Sequence, residues 1–219
     1  MKLEGLKVNF LGDSITQGAS ATTPEKAYHQ VMKRKYGLEK ANNYGVGGTR
    51  IARQTVPSEM TIFDYTFEMR AEVMDRDVDA VVVFGGTNDF GHGDAPFGTI
   101  HDTDEQTFCG ALHALCRKLI DRYPEAQLVI MTPLHRDSED DGPYNERGIR
   151  LSANLEGYVD AILKIAAFYA IPVLDLFRVS GIQSPVPVLK ERYIPDGLHP
   201  NDAGHARIAD KLIGFLNML

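Results

Sequence analysis

The sequence predicts an α/β fold: a three-layer α/β/α sandwich with a five-stranded, mostly parallel sheet, built as a single domain over residues 1–219. Three observations predict it. Segments with strand character alternate with segments of helical periodicity along the chain, which is how a parallel sheet comes to be covered on both faces. One strand, Ala80-Val81-Val82-Val83-Phe84, is an unbroken apolar run, as expected where both faces are buried. No internal repeat and no linker divides the chain. The order of the strands does not follow from pattern.

Taken in order, Val8, Phe10 and Leu11 mark the first strand, which stops at Gly12-Asp13-Ser14. A helix is expected from Pro24 to Tyr36, with Pro at its start and Gly37 at its end. Asn42 to Thr49 reads as a short strand running into a glycine-rich turn. Residues 58–74 carry apolar positions at mixed spacing and are assigned to a helix. The Ala80–Phe84 strand ends in Gly85-Gly86-Thr87-Asn88-Asp89, and residues 90–103 read as a long loop. Phe108, Leu112, Leu115 and Leu119 then line one face of a helix within 105–122. Leu128 to Met131 is the fourth strand, followed by a polar, acidic loop at 133–148 that is too long for a simple connector. Leu151, Leu155, Val159, Ile162 and Ala166 mark a helix, and Pro172 to Leu176 the fifth strand. A Pro-containing stretch at 180–195 leads to Asp196-Gly197-Leu198-His199-Pro200 and a last helix bearing Ile208, Leu212, Phe215 and Leu216.

Composition narrows the class. With 219 residues, 43% of them hydrophobic, the chain can bury a sizeable core. A formal net charge of −7 without a basic run argues against nucleic acid or an anionic membrane surface as partner. No apolar run reaches the length of a membrane span, and Met1 to Gly5 lack signal-peptide form. Cys109 and Cys116 are seven apart in a helical pattern, so their Cα atoms would lie roughly 10 Å apart, too far for a disulfide. Both read as small core residues, and the expected compartment is the cytoplasm. Neither a His-Glu-x-x-His nor a paired-Cys motif is present, so no metal or other cofactor is expected.

The strongest turn signals all follow predicted strands: Ser14 the first, Gly47-Gly48 the second, Asn88 the third. In a parallel sheet these points share one edge, where ligands bind. Asp196 and His199 arrive just before the last helix. A hydroxyl, glycine amides, a side-chain amide, a carboxylate and an imidazole are the groups that acyl transfer requires. His199 can take the proton of Ser14, Asp196 can fix the His199 tautomer, and the amides of Ser14 and Gly48 with the Asn88 side chain can hold an oxyanion.

Gly12-Asp13-Ser14-Ile15, Gly45-Val46-Gly47-Gly48, Gly86-Thr87-Asn88-Asp89 and Asp196-Gly197-Leu198-His199-Pro200 resemble, in order, the four sequence blocks of the SGNH (GDSL-type) hydrolases. The blocks span positions 12 to 200, nearly the whole chain. The resemblance implies a flavodoxin-like sandwich that hydrolyses acyl esters, with Ser14 as nucleophile, His199 as base, Asp196 as its orienting acid, and Gly48 and Asn88 as oxyanion donors. One departure is Gly47, where many members have a polar residue, which leaves Gly47 and Gly48 as rival sources of the amide; Gly48 is favoured.

Plainer readings stand beside these. His199 can be a structural histidine before a helix, and Asn88 a turn residue. Asp13 and Asp89 read as structural, tying carboxylates to turn amides. His92, His101 and His135 fall in loops near the site edge, where contact with substrate is one reading and a solvated loop histidine the default. Rival folds lack their marks: no Gly-Lys-Ser/Thr ending follows Gly12, no Gly-x-Gly-x-x-Gly follows the first strand, and no Gly-x-Ser-x-Gly surrounds Ser14. A receiver domain would want its acidic acceptor first after the third strand, where Asn88 stands. An acyltransferase or thioesterase would use the same residues, and a non-catalytic ligand-binding protein of this fold would be expected to lack one of them. The loops facing the site are polar, with no long apolar lid, so a short acyl group such as acetyl on a carbohydrate or other polar alcohol is the expected substrate. Oligomeric state is not legible.

Overall fold

Strand β1 (Lys7–Gly12) lies between β2 (Lys40–Gly45) and β3 (Ala80–Phe84), with β4 (Gln127–Met131) and β5 (Val173–Leu174) beyond β3. All neighbours pair in parallel, in the order β2-β1-β3-β4-β5. This is the flavodoxin-like order, with a crevice where the connections diverge, outside the carboxyl ends of β1 and β3. Gly12, the last residue of β1, is flanked in register by Gly45 of β2 and Phe84 of β3. The turns after these three strands therefore meet. The structure, a computed structural model, describes residues 3–139, 144–146, 148–149 and 151–219. Of the loop expected at 133–148, residues 140–143 and 147 lie outside the described residues, as do Met1 and Lys2.

Strand alternation divides the core in two. Val8, Phe10, Val82, Phe84, Val129 and Met131 face one side. There they meet Met32 of α2 (Tyr28–Tyr36) and, from the last helix, Ile208 and Leu212. Leu11, Val81, Val83, Leu128 and Ile130 face the other, against Leu112, Leu115, Ile162 and Ile165. Burial on both faces explains why β3 and β4 read as continuous apolar runs.

The helices in chain order are α1 (Ser14–Gln17), α2, α3 (Phe67–Ala71), α4 (Thr87–His92), α5 (Phe108–Arg122), α6 (Leu155–Phe168), α7 (Leu176–Val179), α8 (Pro187–Tyr193) and α9 (Asp202–Leu216). Several differ from the sequence reading. Pro24 opens a 3₁₀ turn, Pro24–Lys26, before α2 proper. Region 58–74 holds only a 3₁₀ turn and the five-residue α3, whose side chain Arg70 is buried under the strand ends. The loop placed at 90–103 begins inside α4, and the stretch at 180–195 contains α8, opened by Pro187 in its first turn. Elements this short offer too few turns for periodicity to register. Cys109 and Cys116 are buried and unbridged on α5. Among the described residues no helix is long and apolar enough to cross a membrane.

Candidate active site

The turn after β1 is built by close packing. Gly45 lies so near α1 that a Cβ on it would meet the Gln17 backbone nitrogen at 2.1 Å, so only glycine lets the strand and the helix touch. Asp13 caps α1, its Oδ1 accepting from the Ile15 N–H at 2.9 Å. The helix is held from behind: His29 Nε2 donates to the Thr16 carbonyl at 3.1 Å, and Tyr28 Oη and Thr16 Oγ1 share a hydrogen bond at 3.1 Å. Ser14 is the first helical residue, so its own N–H has no carbonyl one turn earlier to bond.

Opposite it, Gly197, at φ 79°, closes the tight turn 196–199. Asp196 Oδ1 accepts from the backbone N–H of Leu198 at 2.8 Å and of His199 at 2.6 Å. Its other oxygen, Oδ2, accepts from His199 Nδ1–H at 2.8 Å. With that proton on Nδ1, Nε2 is the acceptor, and it lies 3.0 Å from Ser14 Oγ. The turn is anchored by Asp137, whose N–H donates to the Gly197 carbonyl at 2.7 Å. Asp202, at the start of α9, accepts from the Thr22 N–H and hydroxyl at 2.9 and 2.7 Å, tying the two halves of the site together.

The third side is the segment from Gly47 to Ala52. Gly47 N–H donates to Gln17 Oε1 at 2.8 Å and is thereby occupied. Gly48, at φ 74°, occupies left-handed space that suits glycine, and among the described residues its N–H has no acceptor. The next residue, Thr49, is pinned twice. Arg70 Nη2 donates to its hydroxyl at 2.8 Å, and Asn88 Nδ2 donates to its carbonyl at 3.0 Å. Arg70 also caps the strand-end carbonyls of Gly12 at 3.0 Å and Tyr44 at 2.6 Å. Asp89 holds the rest of the segment, accepting from the N–H groups of Ile51 at 3.0 Å and Ala52 at 2.8 Å.

Electrostatics separate the carboxylates. Burial pushes Asp13 up to about 6, against the pull of the Ile15 N–H and the charge of Arg70. Burial likewise lifts Asp89 to about 6, opposed by its bonds from Ala52 and Ile51. Burial also works to raise Asp196, but the hydrogen bonds from the His199 and Leu198 backbone and from the His199 ring outweigh it, and Asp196 lies below the ordinary range. Asp196 is therefore the carboxylate held in its charged form beside the His199 ring, while Asp13 and Asp89 serve backbone amides.

Two of the three loop histidines, His92 and His135, depart from the sequence reading. His92 is not a solvated loop residue: it closes α4, with Nε2 donating to Asn88 Oδ1 at 3.0 Å and Nδ1 accepting from Arg50 Nη2 at 2.7 Å. His135 is partly buried, bonded to Glu139 Oε1 at 2.7 Å and packed on the Phe177 ring at 3.7 Å between centroids. His101 is exposed and lines a cleft with His113 and Tyr169. Sequence reasoning also passed over Gln17, Arg50 and Arg70. Recognising α4 as a helix would have placed His92 beside Asn88, four residues earlier. The arginines carried no local signal. A cleft of about 440 Å³ opens beside Gly48, lined by Arg50, Ser58, Glu59, Phe63 and His92 among others. Among the described residues no group of three or more His, Cys, Asp or Glu side chains is placed to hold a metal.

The sequence matches the GDSL-like Lipase/Acylhydrolase family over residues 10–207. The chain belongs to that family. It is thus an acyl ester hydrolase, as its resemblance to the SGNH (GDSL-type) blocks implied. A solved protein from Lactobacillus plantarum is 32% identical with a TM-score of 0.83, over 98% of each chain. An acetyl xylan esterase is 27% identical with a TM-score of 0.66, over 96% of this chain and 100% of the other. A two-domain esterase active on acetylated mannans shares the fold, at 23% identity and a TM-score of 0.65, over 98% of this chain and 49% of that one. No curated protein matches the sequence.

Proposed function

We propose that this GDSL-family hydrolase removes short acyl groups, acetyl foremost, from a carbohydrate or similarly polar alcohol, through an acyl-enzyme on Ser14. The observation that carries the reading is the unbroken chain Ser14 Oγ–His199 Nε2–His199 Nδ1–Asp196 Oδ2, with links of 3.0 and 2.8 Å. In the first half-reaction Ser14 Oγ attacks the ester carbonyl as His199 Nε2 takes its proton, and Asp196 stabilises the imidazolium. The oxyanion lies against the Ser14 and Gly48 amides and Asn88 Nδ2. Collapse expels the alcohol, which leaves with the proton from His199. Water, deprotonated by the same nitrogen, then releases the carboxylic acid and restores Ser14.

The substrate class draws support from two sides. The cleft beside Gly48 sets the polar side chains of Ser58 and Glu59 beside Pro57 and Phe63, groups that can meet the hydroxyls and the ring face of a carbohydrate alcohol. The similar acetyl xylan esterase acts in the same sense. A panel of chromogenic esters from acetate to laurate, together with acetylated xylo-oligosaccharides, tests both. Acetate to butyrate should be preferred, since a chain of about twelve carbons needs apolar surface worth about 0.8 kcal/mol per buried CH₂. A kcat/KM that rises with chain length overturns the substrate reading. Ser14→Ala should cost on the order of 10⁴-fold or more in kcat with unchanged circular dichroism. A folded Ser14→Ala variant that keeps its activity overturns the mechanism.

A further inference from the structure

We propose that His92, fixed in one tautomer by Arg50, is a positioning residue that sets the orientation of the Asn88 amide for the oxyanion. The inference rests on the reading of Asn88 as an oxyanion donor. Its basis is a hydrogen-bond chain with a single allowed direction. The Thr49 carbonyl can only accept, so the group facing it at 3.0 Å is Asn88 Nδ2. Asn88 Oδ1 therefore faces His92 Nε2, at 3.0 Å, and must receive a proton from it. At the far side of the ring, Arg50 Nη2 lies 2.7 Å from Nδ1. A guanidinium has donors and no acceptor, so Nδ1 carries no hydrogen and the ring proton sits on Nε2. Arg50 thus dictates the tautomer, the tautomer dictates which end of the Asn88 carboxamide points at His92, and one Nδ2 hydrogen is left over after the bond to Thr49.

The alternative arrangement is penalised at both ends. Turning the Asn88 amide over would set Oδ1 against the Thr49 carbonyl and Nδ2 against the His92 N–H, two repulsive contacts in a site where Asn88 is 3% exposed. Arg50 is itself fixed: it is 5% exposed, and its Nη1 donates to Ser58 Oγ at 3.2 Å. Its immobility passes through the ring to the amide. Accepting a bond at Oδ1 also polarises the carboxamide and strengthens its remaining N–H as a donor. None of these contacts involves Ser14, Asp196 or His199, so the relay acts on the oxyanion side of the reaction alone.

His92→Leu removes both ring contacts at similar volume. His92→Gln keeps a donor and an acceptor on one planar group. With an acetate ester, His92→Leu should lower kcat by about 10–100-fold with KM within about twofold, the pattern of a lost transition-state contact. His92→Gln should recover kcat to within about threefold of wild type. Because the relay works through Asn88, the double variant His92→Leu/Asn88→Ala should be no slower than Asn88→Ala alone, within about twofold. A folded His92→Leu with full kcat, a His92→Gln as slow as His92→Leu, or additive losses in the double variant would each overturn the inference. Full kcat in Asn88→Ala removes the oxyanion reading and the relay with it. A slow Asn88→Ala beside a fully active His92→Leu removes the relay alone. Independently of any variant's folding, long-range ¹H–¹⁵N correlation on the wild-type protein reads the tautomer. The relay requires a neutral His92 ring protonated on Nε2 at pH 7, and a proton on Nδ1 overturns it.

Discussion

Asp13 and Asp196 each stand beside a residue of the site, yet the molecule treats them in opposite ways. Asp13 is 1% exposed, serves the Ile15 amide, and is pushed up to about 6 by burial. The Asp196 side chain is 46% exposed, serves the His199 ring, and is held below its usual range by hydrogen bonds. The wall formed by the strand ends is thus a desolvated scaffold in which charge is a burden, while the 196–199 turn is a half-open arm in which charge is favoured. Position next to a reactive group does not assign a role; the count of hydrogen bonds against the degree of desolvation does.

The contrast can be broken most directly at Asp196. Asp196→Asn should lower kcat by about 10²–10⁴-fold while moving Tm little. Oδ1 is committed to two backbone N–H groups, so an asparagine would keep its oxygen there and turn its NH₂ toward His199 Nδ1. That forces the ring proton onto Nε2, facing Ser14, where it cannot accept. Steady-state kinetics with a melting curve check it. An active Asp196→Asn would mean the arm orients His199 without the carboxylate.

Asn88 tests the wall. Asn88→Ala should lower kcat by roughly 10²–10³-fold with little change in KM, because an oxyanion donor acts on charge that exists only in the transition state. If Asn88 were only a turn residue, the loss would be in stability, and kcat per folded molecule would survive. Kinetics well below the melting temperature, corrected for folded fraction, separate the two.

How much of this the sequence disclosed follows the same division. The sheet was legible because burial on both faces of β3 and β4 writes itself as apolar runs, and the strand ends because Gly12, Gly47-Gly48 and Gly86 interrupt them. Ser14 and Asn88 were legible as polar residues at those interruptions, and Asp196 and His199 as a polar pair in the tight turn before the last helix. The supports were not. Arg70 reaches Gly12 and Tyr44 from 58 and 26 residues away, and Arg50 reaches His92 from 42, so no local window contains both partners. His92 was named near the site edge but assigned to a loop for a different reason: α4 has six residues, including Gly91, too short and too irregular to show a helical stripe.

The smallest expected effect is also the sharpest comparison, since it concerns the scaffold carboxylate alone. Asp13→Asn keeps an oxygen for the Ile15 N–H and removes the buried charge. In the wild type the folded-state value near 6 exceeds the reference value of 3.8, so the folded protein binds the extra proton between those limits. Its stabilising contribution is therefore complete below about pH 4 and is lost as pH rises through about 6. The asparagine variant does not titrate there. Its stability relative to wild type should rise between pH 4 and pH 8, by on the order of 3 kcal/mol at most, which is several degrees in Tm for a chain of this length. Arg70, lowered to about 10 by burial, stays charged across that range and keeps its bonds to Gly12, Tyr44 and Thr49 in both proteins, so it does not mask the difference. Differential scanning calorimetry of both proteins at the two pH values reads it. A relative stability that falls from pH 4 to pH 8 would mean that Asp13 is stabilised as an anion, like Asp196, and that the wall and the arm use their carboxylates alike.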